Sequence, residues 1–199
     1  ADYAAFNFRN QLDFVTLADN SAWDGNYLIT YYNYICAYDY YAGMNIRSID
    51  GFETPILITV NMCDSEGKPE NNACFYGLNN GWACFGSSQV NRYGEALDVV
   101  AHEYTHGVTR CSMQGTLYAN ETGAINEAYS DIMGNLIEMR EGATNDGAWL
   151  LGERCGEVMR SMSDPNAYGQ PAFVGDVFYG TNVLTPARTN DNGSVHTNN

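Results

Sequence analysis

His102 and His106 stand four residues apart in HEYTH, with Glu103 between them. On an α-helix that spacing is about 40° of rotation and one turn of rise, so both imidazoles leave one face and can grip a single ion. Glu103 points off to the side, where it reaches a water on that ion without being a ligand; this is the H-E-x-x-H arrangement. Zinc in a catalytic site takes three protein ligands and keeps a fourth position for water, so a third ligand is needed. In the pattern H-E-x-x-H-x-x-G-x-x-H it would be a histidine. Thr109 and Ser112 occupy the positions that pattern gives to glycine and histidine, which excludes it. A carboxylate from a second helix remains, and Glu127, in GAINEAYSD 21 residues after His106, is the candidate. Asp131 lies one turn beyond Glu127 on the same face, where it can accept the outer N–H of a ligand imidazole. Ala124, Ile125, Ala128, Tyr129, Ile132 and Met133 surround these two acids. Carboxylates in such company need partners.

These side chains require two helices and something to hold them together. Leu97, Val100, Ala101, Tyr104 and Val108 recur at steps of three and four, which predicts one buried stripe on a helix that begins after Gly94. A second helix is predicted from near Thr122 through INEAYSDIMGNLIEM. Upstream, NYLITYYNYICAYDYYAGM carries tyrosines at helical intervals and predicts a core-packing helix. PILITVNM is β-branched and apolar, and ACFYGLNNGWACFG suggests two short strands around a turn. Beyond Asn145 the chain is loop-rich, with DPNAYGQP and TNDNGS as turn clusters. No repeat or linker divides residues 1–199. They form a single unit: an N-terminal segment and helix (1–44), a sheet region (45–93), the helix pair (94–140) and a loop-rich segment (141–199).

Composition narrows the function classes. Nine Lys and Arg against 24 Asp and Glu give a net charge of −15, so nucleic acid would be repelled over most of the surface. No apolar run approaches the ~20 residues of a membrane span. A chain that starts at Ala1 is expected to be processed or excised. Six cysteines, Cys36, Cys63, Cys74, Cys84, Cys111 and Cys155, include no C-x-x-C pair, so disulfides in a secreted protein are expected rather than a sulfur metal site. Cys74 and Cys84 flank GLNNG and could face each other across a hairpin.

DVVAHEYTH followed by YANETGAINEAYSD, with NNACFY upstream and MRSMSDPNAYG and DNGSVH downstream, resembles the thermolysin family of zinc endopeptidases. The likeness runs in order from AYDYY at residues 37–41 to the last residues and is weaker before that. It implies an α+β fold: a thermolysin-like catalytic domain with an antiparallel-rich sheet and a zinc-binding helix pair. It also implies that the early hairpins and the helical C-terminal domain are missing.

The resemblance makes His102, His106 and Glu127 zinc ligands and Glu103 the general base. Asn126 and Asp131 would orient the ligand histidines. Tyr118 and His196 would stabilise an oxyanion, with Asp191 behind His196. Asn72 and Ala73 would hold substrate backbone, and Arg160, with Met159 and Val99, would border an apolar pocket that selects a hydrophobic residue just after the cut bond. The chain has three histidines, and all fall on these positions. The family's calcium site is partly kept: Asp98, Glu138 and Glu153 match its carboxylates, whereas Ala148 and Leu150 stand where two more acids are expected. At most one Ca2+ is expected there, since affinity follows the number of charged ligands, with Asp146 a substitute after a small loop shift. The expected function is a secreted zinc metalloendopeptidase acting on peptides or proteins. The alternative is a non-catalytic zinc-containing binding or structural subunit, and the missing helical domain would come from a second chain.

Overall fold

A computed structural model describes residues 5–8, 12–15, 25–64, 66–77, 81–87, 92–114, 117–143, 149–180 and 191–199. Helix α1 spans Gly25–Gly43, α2 Leu97–Ser112 and α3 Asn120–Arg140. The strands are β1 (Ala5–Phe8), β2 (Leu12–Val15), β3 (Leu57–Met62), β4 (Ala73–Tyr76), β5 (Trp82–Gly86), β6 (Leu150–Leu151) and β7 (Arg160–Ser161). All three predicted helices and the β4–β5 hairpin form where the hydrophobic periodicity places them.

β1 to β5 make one sheet in the order β2-β1-β3-β5-β4, and β6 pairs with β7 separately. The expected antiparallel-rich sheet is corrected to a mixed one: β1/β3 and β3/β5 are parallel, while β1/β2 and β4/β5 are antiparallel. The connections explain this. Parallel neighbours need a long crossover. α1 lies in the connection from β1 to β3, and β4 lies in the one from β3 to β5 before returning along the sheet edge. The N-terminal segment contributes the antiparallel pair β1/β2.

Ile58, Val60, Ala83 and Phe85 alternate along β3 and β5 and enter the main hydrophobic core. α1 meets the same core through Tyr27, Tyr34, Ala37 and Tyr41, a stripe at helical spacing. The Tyr41 ring stacks on Tyr104 of α2 with centroids 5.5 Å apart, and its hydroxyl lies 2.8 Å from Thr105 Oγ1. Tyr34 meets the same Tyr104 ring edge-on at 5.0 Å. The tyrosine-rich helix is therefore a packing partner that fixes the rotation of α2, and with it the direction in which His102 and His106 point.

Two glycines set how closely the site-bearing elements approach. A Cβ at Gly134 of α3 would lie 2.5 Å from the Asp98 carbonyl oxygen of α2, so only glycine permits that crossing. A Cβ at Gly107 of α2 would lie 2.9 Å from the Phe75 ring of β4, which brings the sheet edge against the helix carrying the two histidines.

Candidate metal centre

α2 places His102 and His106 one turn apart, and α3 brings Glu127 to them. The Nε2 atoms of the two histidines are 2.9 Å apart. Glu127 Oε1 is 3.1 Å from His106 Nε2, and Oε2 is 3.4 Å from His102 Nε2. One ligand atom from each of the three residues lies within 4.8 Å of the others, and Glu127 is fully buried.

The outer nitrogens settle the tautomers. His102 Nδ1 is 2.7 Å from Asp131 Oδ1, and His106 Nδ1 is 2.7 Å from Asn126 Oδ1, with Ser130 Oγ at 3.2 Å. The His106 Nδ1–H donates to Asn126, and His102 Nδ1 stands against the Asp131 carboxylate, so in the neutral rings both Nε2 atoms present bare lone pairs to each other and to a carboxylate. Electron-rich groups converge in this way around a cation. Without one, protons take its place: burial alone would push the His102 pKa down, but Asp131 and Glu127 outweigh it and raise it to about 10. Burial likewise pushes Glu127 up, yet the two imidazoles hold it well below the carboxylate range. The donor set, two imidazoles and one carboxylate each anchored from behind, fits Zn2+.

Asp131 is itself gripped. Arg160 donates to it in bidentate fashion, with both bonds at 2.7 Å, and Asn199 Nδ2 donates to Oδ2 at 2.7 Å. Glu103 sits beside the three ligand residues, 5% exposed, and its Oε2 has no hydrogen-bond partner. Burial pushes its pKa up, against the pull of His102 and His106. On the other side, the Tyr118 hydroxyl donates to Glu127 Oε1 and lies 3.4 Å from His196 Nε2. His196 Nδ1 is 2.5 Å from Asp191 Oδ1, so Asp191 orients that ring while Nε2 faces the centre.

A cleft of about 1020 Å³ opens over these groups. His102, Glu103, His106, Tyr118, Glu127 and His196 line it, together with Asn126, Arg160 and the edge residues Asn72 and Ala73. Val99 and Met159 do not line this cleft. Val99 is buried in the core, and Met159 packs against that core with its methyl over Gly152. They lie on the inward stripe of α2 and just before β7, so they back the site rather than face it.

Two family models match the chain: "Thermolysin metallopeptidase, catalytic domain" over residues 13–110 and "Thermolysin metallopeptidase, alpha-helical domain" over residues 115–199. The chain belongs to the thermolysin family of metallopeptidases. Bacillolysin of Bacillus cereus is 35% identical over 186 residues, covering 90% of this chain and 30% of the relative. Thermolysin of Alicyclobacillus acidocaldarius is 38% identical over 168 residues, 81% of this chain and 28% of the relative. Among solved structures, the precursor of protealysin from Serratia proteamaculans matches with TM-score 0.75 and 27% identity, over 100% of this chain and 65% of that one. The chain thus spans less than a third of the length of these curated relatives. The helical-domain match starts at residue 115, before Glu127, which corrects the expectation that this domain is absent.

The second acidic group expected from the thermolysin family also assembles: carboxylate oxygens of Asp98, Glu138 and Glu153 lie within 4.8 Å of one another. Asp98 accepts the Gly152 and Val99 N–H groups, whereas neither Glu138 oxygen has a hydrogen-bond donor. Leu150 sits in β6 with no carboxylate to add, and Ala148 and Asp146 lie outside the described residues. Sequence reasoning missed Ser130 and Asn199. Ser130 shares the inward face of α3 with Glu127 and Asn126, a helical-spacing signal that was available. Asn199 reaches Asp131 across the fold, and no local pattern marks it.

Proposed function

We propose that this chain carries the catalytic centre of a secreted zinc endopeptidase. The observation that carries this reading is the convergence of two bare imidazole nitrogens and a buried carboxylate, with a buried glutamate that has one unpartnered oxygen beside them and two donors opposite. Bound by His102, His106 and Glu127, zinc would polarise the scissile carbonyl and acidify a water. The chain's own residues supply the rest. Asn72 and Ala73, at the exposed edge, hold the substrate backbone in extended form. Glu103 takes the water proton on its carboxylate and returns it to the leaving amine. Tyr118 and His196 donate to the oxygen on which negative charge develops, and they arrive already placed by Glu127 and Asp191. Asp131 and Asn126 hold the ligand rings, and Arg160 fixes Asp131.

We further propose a preference for a hydrophobic residue just after the cut bond, which the resemblance to the thermolysin family implies for a pocket bordered by Arg160, a residue that lines the cleft. Secretion is supported by a relative named "Extracellular elastase" in Staphylococcus epidermidis, 34% identical over 163 residues, and no described helix is long and apolar enough to cross a membrane. Ligands, base and oxyanion donors all come from this one chain, which favours an enzyme over a non-catalytic subunit.

Hydrolysis of an internally quenched peptide should stop with a zinc chelator and return on adding zinc. Cleavage that continues in fully metal-depleted protein would overturn the reading.

Asp98, Glu138 and Glu153 would hold a single Ca2+. Burial pushes Asp98 up to about 6 and Glu138 up to about 8. Acids with raised folded values bind more protons folded than unfolded, so stability without the cation falls as pH rises from about 4 to about 8. Calcium removes that penalty, and its gain in Tm should grow across the same window. A calcium-induced shift that is the same at pH 5 and pH 8 would exclude this site.

A further inference from the structure

Cys74 and Cys84 are direct cross-strand partners on β4 and β5. The Gly86 N–H donates to the Asn72 carbonyl at 2.9 Å, so residues 72 and 86 form a hydrogen-bonded pair. Such pairs alternate along an antiparallel ladder, which makes 74 and 84 hydrogen-bonded as well, with Cα atoms about 5.5 Å apart. A disulfide spans Cα separations of about 4.4–6.8 Å, so the backbone spacing of this pair is within range, and closing the bond draws the two Cβ atoms together from about 5.5 Å to about 3.8 Å. Directly opposed residues also share a face, so the two thiols project from the same side of the ladder.

The two thiols differ in access. Cys84 is fully buried, whereas Cys74 is half-buried and lines the cleft next to Asn72 and Ala73. The hydrogen bond from Cys84 holds the Cys74 thiol below its ordinary range, and the same contact, with burial, pushes Cys84 up. Accessibility and acidity thus fall on the same sulfur, the combination that marks an attacking thiol. All six cysteines carry free thiols in the structure, and Cys36, Cys63, Cys111 and Cys155 have no register partner of this kind.

We propose that Cys74 and Cys84 form a dithiol modification site on the strand bordering the cleft, which a small-molecule disulfide converts to a cross-strand disulfide. The Cys74 thiolate attacks one sulfur of glutathione disulfide, and one glutathione leaves as thiolate. Cys84 then loses its proton and attacks the Cys74 sulfur, releasing the second glutathione. Two protein thiols are oxidised, one glutathione disulfide is reduced, and the two protons end on the two glutathione thiols. The closed bridge ties the edge strand that carries Asn72 and Ala73 to its neighbour β5.

The test uses the whole chain treated with glutathione disulfide, alkylated, and cut after glutamate. Glu70 and Glu95 release residues 71–95, which contain Cys74 and Cys84 and no other cysteine. The expected result is a segment about 2 Da lighter, the two hydrogens lost to the bridge, with neither thiol alkylated, reversed by dithiothreitol. In Cys84→Ser the resolving thiol is gone, and glutathione should remain attached at Cys74. The proposal is overturned if Cys74 pairs with a different cysteine, if both thiols stay alkylated after oxidation, or if Cys84→Ser carries no glutathione. These readouts are masses, independent of metal content and of peptide cleavage, so the dithiol site and the peptidase reading fail separately.

Discussion

Glu103→Gln is expected to lower kcat for peptide hydrolysis by about 10²–10⁴-fold, the range for loss of a general base, while one zinc per chain remains bound. The geometry separates the two properties. Glu103 is not among the three residues whose ligand atoms converge, and it is buried with one oxygen unpartnered at the edge of that cluster. Glutamine keeps its size and one acceptor but cannot take a proton. Burial raises the Glu103 pKa, with the imidazoles pulling the other way, and a carboxylate moved up toward neutrality is a better match for a proton that must be both accepted and returned. Zinc content by mass spectrometry and kcat on a quenched peptide check this together. Near-normal turnover would remove Glu103 from its role, and loss of zinc would make it a ligand.

Glu127→Gln should do the opposite, lowering zinc affinity by at least about 10²-fold and activity in step with metal lost. Partners one shell further out typically cost 10–100-fold, and Glu127 supplies the only negative charge in the ligand set. Its oxygens lie between His102 and His106, and the Tyr118 hydroxyl donates to it, so a neutral amide also disturbs the oxyanion side. Competition with a chelator gives the affinity. Excess zinc should restore part of the turnover in Glu127→Gln and none in Glu103→Gln. Equal zinc affinity in Glu127→Gln and the parent chain would place the third ligand elsewhere.

The contrast between these variants follows from what is legible in the sequence. The helical positions of His102, Glu103 and His106 are fixed by residue spacing alone, because one α-helix dictates where side chains at i, i+1 and i+4 point. The buried stripe of α2, the β4–β5 hairpin and the tyrosine-rich α1 follow from periodicity in the same way. Composition set the acidic surface. Long-range features were not legible. Parallel pairing of β1, β3 and β5 depends on how connections cross the sheet, which no local pattern encodes. Val99 and Met159 match an apolar pocket wall by resemblance, yet packing turns them into the core.

The sequence by itself determined which chemistry was available: two imidazoles one turn apart, a neighbouring base, and two carboxylates one turn apart on a second helix; the apolar neighbours Ile125, Tyr129 and Ile132, expected to be buried around them, are exposed. Only the tertiary structure decided that Glu127 meets those imidazoles, that Arg160 and Asn199 hold Asp131 from behind, and that Cys74 and Cys84 stand in register. The physical reason is that local periodicity fixes directions within an element, while distances between elements are set by packing, as where Gly134 lets α3 close on the backbone of α2.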